Sequence, residues 1–140
     1  MAIEQIRNLK IPVKTAKGRK VSSTRWLQRQ LNDPYVQLAK QDGYRSRAAY
    51  KILEIHEKFK IFTKGQIVVD LGSAPGGWSQ VAVQKVFAEK SWGGKVLSVD
   101  LLEMLPILGV TALHKDFLSI TEDELLEWLQ SKKIDVVLSD

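Results

Sequence analysis

A turn almost free of side chains follows a short apolar run in the middle of this chain. The run occupies residues 67–69 and predicts a buried strand, and residues 70–80 then read DLGSAPGGWSQ. Gly72, Gly76 and Gly77 can turn sharply and leave the backbone uncovered. A ligand can therefore lie against that backbone, at the positive N-terminus of the helix that follows. A purely structural turn explains the same glycines.

Strands and helices alternate along the second half of the chain. Apolar runs predict strands at residues 66–70, 96–100, 110–114 and 134–139. A helix is expected between the first two strands at 77–88, and a capping box at Thr121 and Glu124 opens another. This alternation predicts an α/β fold, with a mostly parallel sheet, right-handed crossovers and flanking helices.

The first part of the chain is predicted to be helical and basic. Residues 1–21 show no periodicity, and we expect a flexible basic arm. Short helices are expected after the possible N-caps at 22–24, near 35–41 up to Gly43, and at 47–59. Residues 22–140 suit a single domain.

Four aspartates are predicted at or just beyond strand ends: Asp70, Asp100, Asp116 and Asp140. The carboxyl ends of parallel strands lie at one edge of a sheet, and α/β folds bind ligands there. One carboxylate in such a place is ordinary, whereas four predict the lining of one pocket.

The glycine spacing and the four aspartates limit the kinds of ligand that the turn could bind. The order G-x-x-x-G-G is neither the dinucleotide fingerprint nor a phosphate-binding P-loop. The aspartates would repel phosphates and suit a ligand with a cationic centre and hydroxyl groups. S-adenosylmethionine meets that description, with Asp100 placed for the ribose hydroxyls and Asp116 for the adenine amine.

Metal and membrane sites are not expected. The chain has no cysteine, so thiolate metal sites and disulfides are excluded. His56 and His114 have no partner at metal-ligand spacing, and each is better explained as a surface or packed histidine. No apolar run approaches the length of a membrane span.

Several segments resemble one enzyme family. The turn DLGSAPGGWSQ is similar to motif I of the FtsJ-like (RrmJ-type) ribosomal RNA 2′-O-methyltransferases. Further likeness is seen in SSTRWLQRQLNDPYVQLAKQDGYRSRAAYKILEI, in VDLLEM and in KDF, so that it runs from residue 22 to residue 140. The resemblance implies a Rossmann-like fold that uses S-adenosylmethionine to methylate the ribose of a uridine in 23S ribosomal RNA, within the large ribosomal subunit.

The resemblance also implies roles for particular residues. Its cofactor contacts fall on Gly76, Trp78, Asp100, Asp116 and Asp140, although a tryptophan at the start of a helix is more often core. Two members of the family's Lys-Asp-Lys-Glu catalytic set fall on Lys51 and Asp140. The second lysine and the glutamate have no counterpart, so we expect a chain truncated after its fourth strand.

Lys51 is the candidate general base. A ribose hydroxyl is a poor nucleophile until it loses its proton, and a lysine accepts that proton only as a neutral amine. Helical spacing puts Lys51 on the flank of an apolar stripe, where a boundary lysine with a solvated amine is the simpler interpretation. The resemblance favours the catalytic one, with Asp140 orienting the network.

Charge is unevenly distributed along the chain. Residues 1–60 hold 14 Lys and Arg against 5 Asp and Glu, whereas residues 61–140 hold 7 against 11. A basic front favours a polyanionic partner, although a solvated face explains it equally well. Four arginines are candidate contacts to RNA phosphates: Arg25, Arg29, Arg45 and Arg47. Tyrosines among them could stack on bases.

These observations predict a monomeric methyltransferase acting on ribosomal RNA in the bacterial cytoplasm, with a mitochondrial location as the lesser alternative. A non-catalytic RNA-binding domain with the same fold is the main alternative, because half of the catalytic set has no counterpart. A nicotinamide-dependent oxidoreductase is a weaker one, because the glycine spacing is irregular.

Overall fold

A computed structural model describes residues 24–25, 27–29 and 33–140. The chain divides into two compact units, residues 1–47 and residues 48–140. The predicted arm at 1–21 and the start of the helix predicted after it lie outside the described residues. Residues 24–25 and 27–29 are helical, as the sequence predicts.

In the first unit, helix α1 spans Pro34–Asp42. The carboxylate of Asp33 accepts a hydrogen bond from the Tyr35 backbone N–H at 2.8 Å, so Asp33 caps this helix at its N-terminus. Gly43 ends it in the left-handed conformation, with φ of 82°. The predicted helix and its glycine stop are confirmed.

The second unit is built around four parallel strands in the order β3-β2-β1-β4. The strands are β1 (Ile67–Leu71), β2 (Lys95–Asp100), β3 (Val110–His114) and β4 (Val136–Ser139). Helices α2 (Ala48–Phe59) and α3 (Gly77–Val86) flank β1 along the chain, and α4 (Glu122–Leu129) lies between β3 and β4. The predicted α/β fold with a parallel sheet and flanking helices is confirmed.

Successive side chains along each strand point to opposite faces of the sheet, so the strands contribute to two buried layers, one on each face. Val69, Leu97 and Val99 form one apolar cluster, and Leu125 and Trp128 of α4 pack against it. Side chains one residue away point to the opposite face. There Ser79 of α3 reaches the sheet, so α3 and α4 cover opposite faces.

The strand register brings the predicted aspartates of β1, β2 and β4 to neighbouring positions at the carboxyl ends of these strands. Asp70 pairs with Ser98 on one side and with Leu138 on the other. Asp100 is the last residue of β2, and Asp140 directly follows β4. Asp70 is therefore one residue short of the strand end, within the sheet rather than beyond it.

Two local features differ from the sequence prediction. Strand β4 begins at Val136 rather than at 134, and the Asp135 side chain accepts a hydrogen bond from the Ile67 N–H at 2.8 Å. A short 3₁₀ turn, Phe117–Ser119, precedes α4. The capping box at Thr121 and Glu124 is formed as predicted. No described helix is long and apolar enough to span a membrane.

Candidate active site

A buried polar cluster joins the two strands and the helix that flank the glycine turn. The Ser79 hydroxyl donates to the Asp70 carboxylate at 2.7 Å and lies 2.5 Å from the Ser98 hydroxyl. All three side chains are within the core, each no more than 1% exposed. They join β1, β2 and the first turn of α3, and thereby fix where the turn between β1 and α3 begins and ends.

Asp70 sits in an environment that disfavours its charge. Burial raises the pKa of its carboxyl group from 3.8 to about 6, against the opposing effect of the Ser79 hydrogen bond. The negative charges of Asp100 and Asp140 make smaller contributions to the same upward shift. The charges of Asp100 and Asp140 thus reach the buried Asp70 at this edge of the sheet.

Asp100 holds two loops through its carboxylate. One oxygen accepts from the Ala74 N–H in the glycine turn, and the other accepts from the Leu102 N–H, both at 2.8 Å. The turn is held again where the Gly72 N–H donates to the Val99 carbonyl at 2.8 Å. Each carboxylate oxygen keeps a second lone pair, so Asp100 can still accept hydrogen bonds from a ligand.

The glycine turn leaves space that side chains would fill. Gly72 has φ of 72°, and a Cβ built there would meet nothing within 4 Å. Gly76 caps α3 with φ of 120°, and Gly77 is the first residue of that helix. Left-handed backbone at Gly72 and Gly76 strains any residue with a side chain, so conformation favours glycine at both positions, although a Cβ at Gly72 would have room.

A cavity of about 150 Å³ lies beside Asp100. Its other lining residues come from the glycine turn, β2, the loop after β2 and β3: Ser73, Ser98, Leu102, Glu103, Met104, Ala112, Leu113 and His114. Of the four predicted aspartates, only Asp100 lines this cavity. The Asp116 carboxylate accepts from the Leu118 N–H at 3.0 Å and caps the 3₁₀ turn beyond β3.

Lys51 and Asp140 meet, although 89 residues separate them in sequence. The Lys51 Nζ lies 3.1 Å from an Asp140 carboxylate oxygen and 5.8 Å from the centre of the Trp78 ring. The Trp78 ring is buried, and its N–H donates to the Ala48 carbonyl at 2.7 Å, which binds α3 to α2. The lysine and aspartate side chains are 62% and 53% exposed, so a substrate can reach both.

The four arginines predicted to contact RNA all lie in the first unit. Arg47 pairs with Asp33 and lies over the Tyr35 ring, 5.1 Å from its centre. Arg25 and Arg29 are exposed on the helical residues near the start of the described chain. Arg45 follows α1 in the segment that leads towards Arg47. Their contact with RNA remains a prediction.

Sequence reasoning missed the two serines of the buried cluster. The available signal was weak: Ser79 is a small polar residue in the first turn of a helix that continues with the apolar residues 81–83. Ser98 alternates with Leu97 and Val99, as a residue on the other face of the strand should. Only the structure shows that the Ser79 hydroxyl meets both Asp70 and Ser98.

The histidines are used in local structure. His56 accepts from the Phe62 N–H through Nδ1 at 3.1 Å, and His114 Nε2 is 2.8 Å from the Leu101 carbonyl oxygen. Within the described part of the chain, no group of three or more histidines and acids could hold a metal ion.

Known proteins resemble this chain in sequence and in fold. The model of the FtsJ-like methyltransferase family matches residues 44–140. The chain is a member of that family. It is 56% identical over 135 residues to the "Ribosomal RNA large subunit methyltransferase E" of Rickettsia akari, covering 96% of this chain and 60% of the relative. The enzyme of the same name from Roseobacter denitrificans is 56% identical over 138 residues, with 96% and 58% covered.

A solved structure shows the same family likeness. It belongs to a candidate ribosomal RNA methyltransferase from Plasmodium falciparum, and it matches with a TM-score of 0.58 and 35% identity. The match covers 69% of this chain and 56% of the other. The chain spans about 60% of the length of the two curated FtsJ-like relatives, and the family resemblance predicted from its motifs is confirmed.

Proposed function

We propose that this chain carries the methyl-donor site and part of the catalytic set of an S-adenosylmethionine-dependent methyltransferase. Its substrate would be the 2′-hydroxyl of a uridine ribose in large-subunit ribosomal RNA. The observation that carries the proposal is the acidic edge, where Asp100 binds a turn with uncovered backbone, Asp140 follows β4, and Asp70 is buried between their two strands. The names of the relatives support ribosomal RNA as the substrate.

The residues at this edge fit the methyl donor. Burial is the largest cause of the raised pKa of Asp70, and the charges of Asp100 and Asp140 add to it. A ligand with an ammonium and a sulfonium group would relieve that repulsion. Asp100 has free lone pairs beside a cavity for the ribose, and the space at Gly72 admits the ligand against the backbone. Gly76, Gly77 and the buried Trp78 would form the wall at the start of α3. Asp116 would meet the adenine from the loop beyond β3.

The chemistry supplied by the bound donor is an electrophilic methyl group. This chain would hold the donor and place Lys51 near the incoming hydroxyl, because in-line displacement requires the oxygen behind the methyl. The Lys51 Nζ would accept the 2′-hydroxyl proton after losing its own. A cationic donor bound beside Asp140 would compete with the lysine for that carboxylate and so loosen the pair.

The remaining parts of the proposal follow from the same assignment. RNA phosphates would be bound by the guanidinium groups of four arginines, each of which can donate two parallel hydrogen bonds to one phosphate: Arg25, Arg29, Arg45 and Arg47. We propose that the protein acts as a monomer in the bacterial cytoplasm, where its ribosomal substrate is assembled.

Calorimetry with S-adenosylmethionine and with NAD tests the donor site. The expected result is binding of the first and none of the second. Asp100→Asn should weaken S-adenosylmethionine binding at least tenfold, because the amide oxygen offers fewer acceptor sites and no charge. Asp123→Asn, on the exposed surface of α4, is the matched control and should change the Kd less than twofold. Binding of NAD alone, or equal effects of the two variants, would contradict the proposed site.

A further inference from the structure

The two edges of the sheet in residues 48–140 differ in charge. The segments that enter β1, β2 and β4 at the amino edge are residues 60–66, 87–94 and 130–135. They contain five lysines and only two acids, Glu89 and Asp135. The opposite edge carries the aspartates of the candidate active site. The sheet is therefore basic where its strands begin and acidic where they end.

Four of these lysines define what we call the amino-edge patch: Lys64, Lys90, Lys132 and Lys133. All four side chains are exposed, and none forms an ion pair with a described carboxylate. Lysines in the last turn of a helix are explained by the helix dipole, as for Lys58 and Lys85. The four patch lysines lie beyond the last turns, so this explanation does not cover them.

Aromatic rings hold part of the patch in place. Lys64 Nζ lies over the Trp92 ring, 4.3 Å from its centre, and the Phe87 ring is 5.6 Å from the same ring. Trp92 is 56% exposed and Phe87 43% exposed. The Gly65 and Gly94 N–H groups both donate to the Val86 carbonyl, at 3.1 and 2.8 Å, which ties the two loops together.

The strand order places the three segments side by side. Strand β1 lies between β2 and β4, and neighbouring strands are about 5 Å apart. The lysines before β2 and β4 therefore flank Lys64, which precedes β1. A row of lysines that form no ion pair with the described carboxylates, beside exposed rings, complements a phosphate backbone, because each bound phosphate releases a condensed counterion.

We propose that the amino-edge patch is a second RNA-contact surface, which binds phosphates of the substrate RNA away from the candidate active site. The inference rests on the proposed function, because that function supplies the RNA. Strands of this length separate the two edges by roughly 15–20 Å. The phosphates on the patch and the target nucleotide would then belong to different parts of the RNA. A large, folded RNA is accordingly the substrate class.

Binding of a large-subunit ribosomal RNA transcript, measured against KCl concentration, tests the patch. The double variant Lys64→Gln, Lys90→Gln should weaken binding roughly tenfold at moderate salt. The slope of log K against log salt should become shallower by about 2, since each lost lysine–phosphate contact removes about 1. Lysine acetylation of the wild-type chain should slow at the four patch lysines when the transcript is bound.

The matched control is Leu118→Glu, Leu126→Glu, which changes net charge by the same amount at exposed positions outside the amino edge. It should leave the slope within about 0.5 of wild type. Equal slopes for the two double variants would overturn the inference, and so would tighter binding of the wild-type chain to anionic phospholipid vesicles than to the transcript.

Cofactor binding separates this inference from the proposed function. If wild type and the lysine variant bind S-adenosylmethionine equally well and RNA equally well, only the second contact surface is wrong. If the wild-type chain binds no S-adenosylmethionine, the proposed function is wrong whatever the salt slopes show.

Discussion

Asp70 lies within β1 and Asp140 directly follows the neighbouring strand β4, yet their environments are opposite. Asp70 is 1% exposed and bonded to a buried hydroxyl, whereas Asp140 is 53% exposed and paired with a lysine. Repulsion from the exposed aspartates nevertheless reaches the buried one. Aspartate therefore has two roles in this sheet. The buried carboxyl group of Asp70 fixes the backbone, and the exposed carboxylate of Asp140 can meet a substrate.

Replacing Lys51, the ion-pair partner of the exposed Asp140, should change methyl transfer more than any other substitution proposed below. In a protein that spans the full length of the curated relatives, Lys51→Ala should lower methyl transfer about 100- to 10,000-fold, because the hydroxyl loses its proton acceptor. Labelled methyl incorporation into large-subunit ribosomal RNA measures it, with calorimetry showing an unchanged S-adenosylmethionine Kd. Lys51→Arg is the matched control: it keeps the ion pair with Asp140 but cannot lose its proton, and should be equally inactive. Transfer retained by the arginine variant would assign Lys51 an electrostatic role instead.

The buried side predicts a pH dependence of stability. The pKa of Asp70 is raised to about 6, so the folded protein holds the proton more tightly than the unfolded chain does. Its contribution is most favourable below pH 4 and is lost as the pH rises through 6. Asp70→Asn removes this pH dependence, so between pH 4 and pH 7 the stability of the variant should gain about 2 kcal/mol relative to wild type. Urea unfolding at several pH values measures the difference, and a constant offset would contradict the buried ionisation.

Removing the hydroxyl that serves Asp70 should have a smaller effect. Ser79→Ala leaves the buried carboxyl without its donor and should reduce the free energy of unfolding by about 1–3 kcal/mol. The matched control, Ser139→Ala on the exposed end of β4, should stay within about 0.5 kcal/mol. Thermal unfolding of both variants at neutral pH checks this, and equal losses would show that the buried cluster adds nothing beyond a surface serine.

The smallest effect is expected for the stability of the exposed pair itself. A double-mutant cycle on Lys51→Ala and Asp140→Ala should give a coupling below about 1 kcal/mol, since both side chains are more than half exposed. The coupling should fall further in 1 M salt. A larger, salt-resistant coupling would mean that the pair is structural, and would remove the contrast with Asp70.

The order of helices and strands could be predicted from local sequence patterns, but the contacts between side chains on different elements could not. Helix α4 and its capping box, the strand apolar runs and the stop at Gly43 are signals within a few residues, and local backbone physics decides them. The contact between Lys51 and Asp140 was implied only by the family resemblance, because it depends on strand order and on how α2 packs, and no local pattern encodes either. For the same reason Asp70 was expected at a strand end, whereas the register places it one residue inside, against two serines.

The two hydrogen bonds that the Asp100 carboxylate receives from Ala74 and Leu102 have a consequence for recognition. Both loops are ordered while the protein folds, so little conformational entropy is left to lose when a ligand arrives. A preorganised cradle of this kind should show nearly superimposable backbones with and without its occupant, and association should proceed without a slow rearrangement.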